Sequence, residues 1–371
     1  MLRCFALSLL LIPAHAQIGL FSSHTDIGTV LHAGSVDYNP STLTYTVGGS
    51  GENMWFAADD FQFVWTKISG DVTLSARLSI LDKDGDPHRK AVLMIRQSLD
   101  ADATYADAAL HGDGLTSLQF RAARGEVTHE IESNVTGPKR LRIEKKGDTF
   151  TLWIGDENGG YRFAGGSMRV PLEGLFYVGI GVCAHNKNEF RKAVFSDVEI
   201  GKPSETGKPA LWSALETITV ASTDARVAYA APGHIDSPAW SADGASLLFH
   251  SDGRLERVAL TGGRPELVAG GKPDAAKTGK AAPAPAAGSA QAWEQATSGE
   301  SNKTAPVFSP DGKKAAFLAW GDSDGQVTLR VVSLKDQKIE SLCRYTGGRD
   351  DLPAWSPDGL RLAFVSRQLV H

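Results

Sequence analysis

The first 200 residues alternate apolar and polar positions in short runs that Gly, Asp and Asn interrupt. Alternation with a period of two is typical of half-buried β-strands, and many such strands without a convincing helix favour an antiparallel sandwich. We therefore predict an all-β jelly roll over residues 17–202. The predicted strands are 42–47, 61–68, 72–80, 91–97, 105–111, 116–122, 127–133, 140–145, 149–154, 176–184 and 193–200.

The C-terminal third repeats one pattern three times. It reads PAWSADGASLLF from Pro238, PVFSPDGKKAAF from Pro306 and PAWSPDGLRLAF from Pro353. Ser-x-Asp-Gly suits a tight turn, because Asp bonds its own backbone and Gly accepts a positive φ. Each copy is therefore strand, turn, strand, and the repetition predicts a β-propeller. We interpret the repeated residues as packing and turn residues rather than catalytic ones: Trp240, Asp243, Gly244, Phe308, Asp311, Gly312, Trp355, Asp358 and Gly359.

The propeller is predicted to be short and closed by both of its ends. The last motif has no third and fourth strand after it, and two strands near 216–221 and 226–231 have no motif before them. These halves complement each other in one blade. The three motifs start 68 and 47 residues apart, and residues 271–290, rich in Ala, Pro, Lys and Gly, supply the excess as a predicted disordered insertion. Three blades are fewer than the roughly four to eight of known propellers, so blades have been lost or a homodimer completes the ring.

The ends of these domains carry further signals. Residues 1–16 have Arg3, an apolar run and an Ala-His-Ala site, which predicts a cleaved signal peptide and a periplasmic or extracellular protein. Residues 203–215 are predicted as a linker before a propeller over 216–371. Cys183 and Cys343 remain after cleavage, and whether they pair cannot be deduced from the sequence.

Charge and motifs exclude several functions. The net charge is −5 and the basic residues are scattered, which argues against nucleic acid as a partner. No later segment is a membrane-span candidate. No nucleophile elbow, zinc-protease motif, P-loop or Cys/His cluster occurs, so we expect no catalytic residue, metal or cofactor. Asp82–Asp86 begins like a calcium loop, but Pro87 and Leu93 stand where an EF-hand needs Gly and Glu. A looser calcium site and a polar turn both stay open there.

Strand alternation gathers polar and aromatic residues on one predicted sheet face. Planar hydrogen-bonding groups beside an aromatic ring suit a sugar, whereas an ordinary solvated face is the alternative. The candidate ligand-binding residues are Trp55, Asp60, Arg96, His111, Gln119, Arg121 and His185.

Several segments of the first domain resemble a known family. GENMWF from Gly51, DFQFVW from Asp60, AVLMIR from Ala91, SLQFR from Ser117 and VGIGVCAH from Val178 are similar to the concanavalin A-like modules called DUF1349, which are related to an accessory module of some β-xylosidases. The repeats, with LTGGRP from Leu260, resemble the PD40 (WD40-like) repeats of TolB-like propellers. The resemblance implies a secreted bacterial protein with a jelly roll followed by a TolB-like propeller, although the blade number departs from that pattern.

Three functions follow as hypotheses. The first is a secreted or periplasmic non-enzymatic binding protein, in which the jelly roll holds a glycan or other extracellular ligand and the propeller docks an envelope protein. The second is a xylosidase-like hydrolase with carboxylates such as Asp59, Asp60, Glu126 or Glu130 on the jelly roll. The third is a TolB-like envelope scaffold. The missing catalytic motifs favour the first.

Overall fold

A computed structural model describes residues 18–156, 160–203, 210–269, 289–321, 326–348 and 350–370. Regular structure in these ranges is almost entirely β, which confirms the predicted fold class. The predicted signal peptide and most of the predicted insertion lie outside the described residues. Within them, no helix is both long and apolar enough to cross a membrane.

The described residues of the jelly roll form sixteen strands. In chain order they are β1 (Ser23–Ile27), β2 (Ser35–Asn39), β3 (Thr44–Gly49), β4 (Met54–Trp55), β5 (Ala58–Asp59), β6 (Phe61–Ser69), β7 (Val72–Ile80), β8 (Lys90–Arg96), β9 (Tyr105–His111), β10 (Thr116–Arg121), β11 (His129–Glu132), β12 (Arg140–Lys146), β13 (Thr149–Gly155), β14 (Tyr161–Arg169), β15 (Leu175–Cys183) and β16 (Arg191–Gly201).

Two layers of seven strands form the sandwich. One layer has the order β1-β6-β15-β8-β9-β10-β11, and the other has the order β14-β13-β12-β7-β16-β3-β2. Alternate residues point inward from both layers, so Ile95 and Leu118 of the first pack in the same core as Leu74 and Phe195 of the second. The remaining alternate residues of the first layer point away from this core, onto a surface that we call the outer face.

The described residues of the C-terminal part form twelve strands and one helix. They are β17 (Ala210–Thr219), β18 (Ala225–Pro232), β19 (Ile235–Trp240), β20 (Ser246–Ser251), β21 (Arg254–Ala259), β22 (Glu266–Ala269), α1 (Ser289–Ala296), β23 (Val307–Phe308), β24 (Lys314–Ala319), β25 (Gln326–Ser333), β26 (Ile339–Thr346), β27 (Ala354–Trp355) and β28 (Arg361–Val370).

The described residues form three four-stranded blades. The first has the order β27-β28-β17-β18, the second runs from β19 to β22, and the third runs from β23 to β26. In the first blade, β28 pairs with all of β17, so strands from both ends of the propeller share one blade as the motif count predicts. Residues 210–215, predicted as linker, instead belong to β17, because pairing with both β18 and β28 extends this strand.

The first blade is joined to the jelly roll through one sheet. Strand β11 pairs in parallel with β18, with Ile131 opposite Ala225. Behind this junction, Gly165 and Gly166 of β14 have φ of +84° and +73°, and a Cβ at these positions would meet Val227 or Ile131 at about 2.5 Å. These glycines therefore let β14 lie directly against the junction.

Helix α1 covers the third blade on one side. Trp293 is buried and packs edge-to-face on Phe317, with ring centres 4.9 Å apart. Ser289 and Ala290, predicted as the end of a disordered insertion, are the first residues of this helix. The helix thus begins within two residues of the approximate end of the predicted insertion, and the burial of Trp293 holds it against the blade.

The three repeats form the turns and blade contacts that their residue types predict. Ser241 donates to the Asp243 carboxylate at 2.6 Å, which lowers the pKa of that carboxyl, and the same Ser-Asp contact occurs in the other two copies. The indole of Trp240 donates to the Ala354 carbonyl at 2.9 Å, in the first blade. Trp355 donates likewise to the Val307 carbonyl of the third blade at 2.7 Å. Phe308, at the equivalent position, packs on the core of its own blade.

Candidate functional site

The structure places four of the predicted polar residues on one sheet face, as the alternation predicts: Arg96, His111, Gln119 and Arg121. Arg96 of β8 lies opposite Tyr105 of β9, which lies opposite Arg121 of β10. Lys90 lies opposite His111 at the other end of the same strands. All five residues belong to the outer face.

This face is not open, however. The short hairpin of β4 and β5 lies over it, and Met54 of that hairpin is fully buried. Arg96, His111, Gln119 and Arg121 are each at most 3% exposed. The prediction that these four side chains are free to hold a ligand is therefore corrected, because the sequence alternation shows which face they share but not what covers it.

Arg121 fixes the covering hairpin. Its guanidinium donates to both carboxylate oxygens of Asp59 at 2.7 and 2.9 Å, to the Phe56 carbonyl at 3.0 Å and to the Glu126 carbonyl at 2.9 Å. Arg96 adds a second cation 3.4 Å from the Asp59 carboxylate. Burial raises the pKa of Asp59, and the two guanidinium groups oppose that rise. Both arginines are thus structural ion-pair partners.

A second buried polar group lies beside this ion pair. Lys90 donates to the Met54 carbonyl at 3.3 Å and to the Gln119 side-chain oxygen at 3.2 Å. The Gln119 amide lies 3.4 Å from His111 Nε2, and His111 Nδ1 lies 3.1 Å from the Leu115 carbonyl. A carbonyl only accepts, so Nδ1 carries the proton and Nε2 accepts from Gln119. Burial lowers the pKa of His111 to about 3, so this ring is neutral.

Asp107 is the least satisfied member of this group. Both of its carboxylate oxygens are buried and have no hydrogen-bond partner among the described residues. Burial raises the pKa of Asp107 well above its usual range, while nearby Lys90 opposes the rise. Lys90 was missed as a site residue by the sequence analysis. Its place on the same side of β8 as Arg96, two-residue steps apart and opposite His111, was the available signal.

The tip of the hairpin carries the exposed aromatic surface of this face. Phe56 is 68% exposed and has a φ of +52°, a left-handed conformation that is unusual for a bulky side chain. Its carbonyl accepts from the Thr128 backbone amide at 2.9 Å as well as from Arg121. Trp55 is partly exposed and Val127 is 51% exposed. We call Trp55, Phe56 and Val127 the hairpin surface.

The remaining predicted residues lie at the margins. Asp60 accepts from the Thr29 backbone amide at 2.7 Å. His185 has a φ of +56°, and its ring lies 5.5 Å from that of His88 and 4.0 Å from the Asp86 carboxylate. Across the described residues, no group of three or more His, Cys, Asp or Glu side chains is placed to hold a metal ion.

The carboxylates considered for a hydrolase have other contacts. Asp59 is held by two arginines, Asp60 accepts a backbone amide, and Glu126 lies exposed in the turn before β11. Glu130 lies opposite Gln119 and is partly buried, which raises its pKa. The arrangement presents an exposed aromatic surface at the tip of the hairpin. Most of the ionisable groups beneath it, such as Arg121 and Asp59, hold that hairpin in place.

Comparison with known proteins gives structural matches only. No protein-family model matches the chain, and no curated protein does. A functionally unknown protein from Saccharomyces cerevisiae is 15% identical, with 49% of this chain and 98% of that chain covered and a TM-score of 0.38. The lectin UEA-II, complexed with galactose, is 8% identical, with 48% and 96% covered and a TM-score of 0.32. A putative TolB from Agrobacterium tumefaciens is 12% identical, with 76% and 99% covered and a TM-score of 0.17. At these values the matches do not bear on what this chain binds.

Proposed function

We propose that this protein is a non-enzymatic glycan-binding protein and that the hairpin surface is its sugar-binding site. The observation that carries the proposal is Phe56, an exposed aromatic residue held in a left-handed conformation at the tip of a hairpin. Such backbone conformations are costly and cluster at binding and catalytic sites. A buried arginine with no exposed surface maintains this one, so the exposed ring is a built feature of the face.

The chemistry of the surface suits a sugar. One face of a pyranose ring presents C–H groups that pack on an aromatic ring, and its edges carry hydroxyls that need hydrogen-bond partners. Trp55 and Phe56 supply the rings, and two exposed carboxylates supply acceptors: Glu52, three residues before Trp55, and Glu126, which directly precedes Val127. Binding sites of this kind combine aromatic contact with a few polar groups.

The test uses the full chain on a glycan array, followed by calorimetric titration of any glycan that binds. Phe56→Ala is expected to weaken that binding about tenfold, since an aromatic contact contributes about 0.5–1.5 kcal/mol beyond its buried area. Leu43→Ala is the matched control, because Leu43 is also exposed, at 61%, and also has a φ of +52°, but lies in the turn between β2 and β3 of the other layer. Equal loss in both variants, or no glycan bound by the wild type, would refute the proposal.

The rest of the molecule fits a secreted binding protein of two parts. The predicted signal peptide supports export, and the resemblance to DUF1349 modules and TolB-like repeats supports a jelly roll that binds its ligand while the blades contact an envelope protein or a second copy of this chain. Cell fractionation tests export, crosslinking in the periplasm tests the partner, and light scattering tests the homodimer. A cytoplasmic, uncrosslinked monomer would contradict all three.

A further inference from the structure

The jelly roll and the propeller enclose a cavity of about 220 Å³. It lies where strands β10 and β11 of the jelly roll meet the first blade and the outer strand β26 of the third blade. Cavities between domains are common locations for small-molecule sites. An apolar cavity of about 150 Å³ already holds benzene, so this one has room for a ring with a short substituent.

One acid faces this cavity from a core position. Ala214, Glu216 and Ile218 point to the same side of β17, and Ala214 and Ile218 belong to the hydrophobic core. Glu216 is only 2% exposed and lines the cavity. A polar residue at a core position contradicts the strand pattern and is a mark of function. The register shift between β17 and β18 leaves Ala228 of β18 as the extra residue, whereas β17 pairs without interruption with β28, so Glu216 keeps its core position in the alternation.

Among the described residues, no cation pairs with the carboxyl of Glu216. Its recorded contact within the described chain is a hydrogen bond from the Ser366 hydroxyl. Burial raises the pKa of Glu216 to about 7, and that hydrogen bond is the opposing effect. A buried carboxylate is costly unless a cation pairs with it.

The walls around this acid are apolar and aromatic. Phe120, Phe364 and Tyr345 contribute rings, and Met168 and Leu342 contribute aliphatic surface. Aromatic faces attract cations as well as apolar groups.

The mouth adds further acids. Glu126 and Glu130 of the jelly roll line the cavity together with Arg344 of β26. The lining thus carries three acidic side chains against one arginine and one histidine, His129, which favours a cation over an anion.

We propose that this cavity binds a small organic cation, with an ammonium group paired to Glu216 and an apolar body packed against Phe120 and Phe364. Glu126 borders both proposed sites, but none of Trp55, Phe56 and Val127 lines the cavity, so Phe56→Ala and Glu216→Gln test the two proposals separately.

The test is a titration of the full chain with benzylammonium and with benzyl alcohol, which differ in charge but hardly in shape. Benzylammonium is expected to bind the wild type, and Glu216→Gln is expected to weaken it at least tenfold while leaving benzyl alcohol unchanged. Phe56→Ala is expected to keep benzylammonium binding, which separates this result from failure of the glycan proposal.

Three outcomes would overturn the proposal. They are equal benzylammonium binding by Glu216→Gln and the wild type, no benzylammonium binding by the folded wild type, and equal or tighter binding of benzyl alcohol by the wild type. The comparison of the two ligands on the wild type decides the matter even if the variant does not fold.

Discussion

Replacing Glu216 with Gln should change how the stability of this protein depends on pH. The amide keeps the shape of the side chain and can still bond Ser366, but it cannot ionise. The pKa of Glu216 is raised from 4.5 to about 7 in the folded chain. Between these two values, the folded state keeps a proton that the unfolded state has lost.

The direction and the size of the change in stability follow from this difference between the folded and unfolded pKa of Glu216. A folded pKa above the unfolded one favours the folded state most below pH 4.5, and this contribution is lost as the pH rises from 4.5 to about 7. One pKa unit corresponds to about 1.4 kcal/mol, so the wild type should lose about 3 kcal/mol from this group across the interval. Glu216→Gln loses none of it. Between pH 4.5 and pH 8, the free energy of unfolding of the variant should therefore rise by about 3 kcal/mol relative to that of the wild type.

The assay is urea denaturation of both proteins, followed by tryptophan fluorescence at a series of pH values. Other buried acids such as Asp59 and Asp107 titrate in both proteins and cancel in the difference. The groups close to Glu216 are Cys343, Tyr345 and Arg344 of β26 and, across the cavity, His129 and Glu130 of β11; they too are present in both proteins.

Glu266→Gln, at an exposed position of β22, is the control and should show no such gain. A difference between Glu216→Gln and the wild type that stays constant with pH, or that shrinks as the pH rises, would refute the burial of an uncompensated carboxyl.

The remaining predictions concern the hairpin and the blades. Arg121→Met should lower the free energy of unfolding by about 3–5 kcal/mol in urea denaturation, because it leaves Asp59 buried with one cation fewer; a change below 1 kcal/mol would argue against the clamp. Trp240→Ala should cost about 3–5 kcal/mol, and a small shift in melting temperature would contradict its place in the blade core. His111 has a pKa lowered to about 3, so its contribution to stability is lost as the pH falls below 6.5. As the pH falls from 6.5 towards 3, the free energy of unfolding of His111→Gln should therefore rise relative to the wild type by about 1.4 kcal/mol per pH unit. Parallel acid denaturation of the two proteins would contradict this.

Strand alternation was sufficient to predict most of the jelly roll. Strands with a clear apolar face, such as β6, β9 and β12, begin and end within one or two residues of the predicted positions. Strands β1 and β14 were missed for physical reasons. Ser23–Ile27 is mostly polar, and Tyr161–Arg169 contains two glycines with positive φ, which resemble a turn in sequence but serve close packing here.

The candidate site was harder to predict, because it depends on contacts between distant segments. Alternation placed Arg96 and Arg121 on the correct face, but their partner Asp59 lies 62 residues before Arg121 in the chain. That pairing turns two expected ligand-binding arginines into supports of the hairpin. It also leaves Phe56, which the sequence analysis did not single out, as the exposed ring.

The most direct test of the glycan proposal is a crystal structure of the full chain soaked with the glycan that binds best on the array. We expect density for a sugar ring stacked on Phe56 or Trp55 at the hairpin surface, with hydroxyls near Glu52 or Glu126. Sugar density elsewhere on the molecule, with the hairpin surface empty, would contradict it.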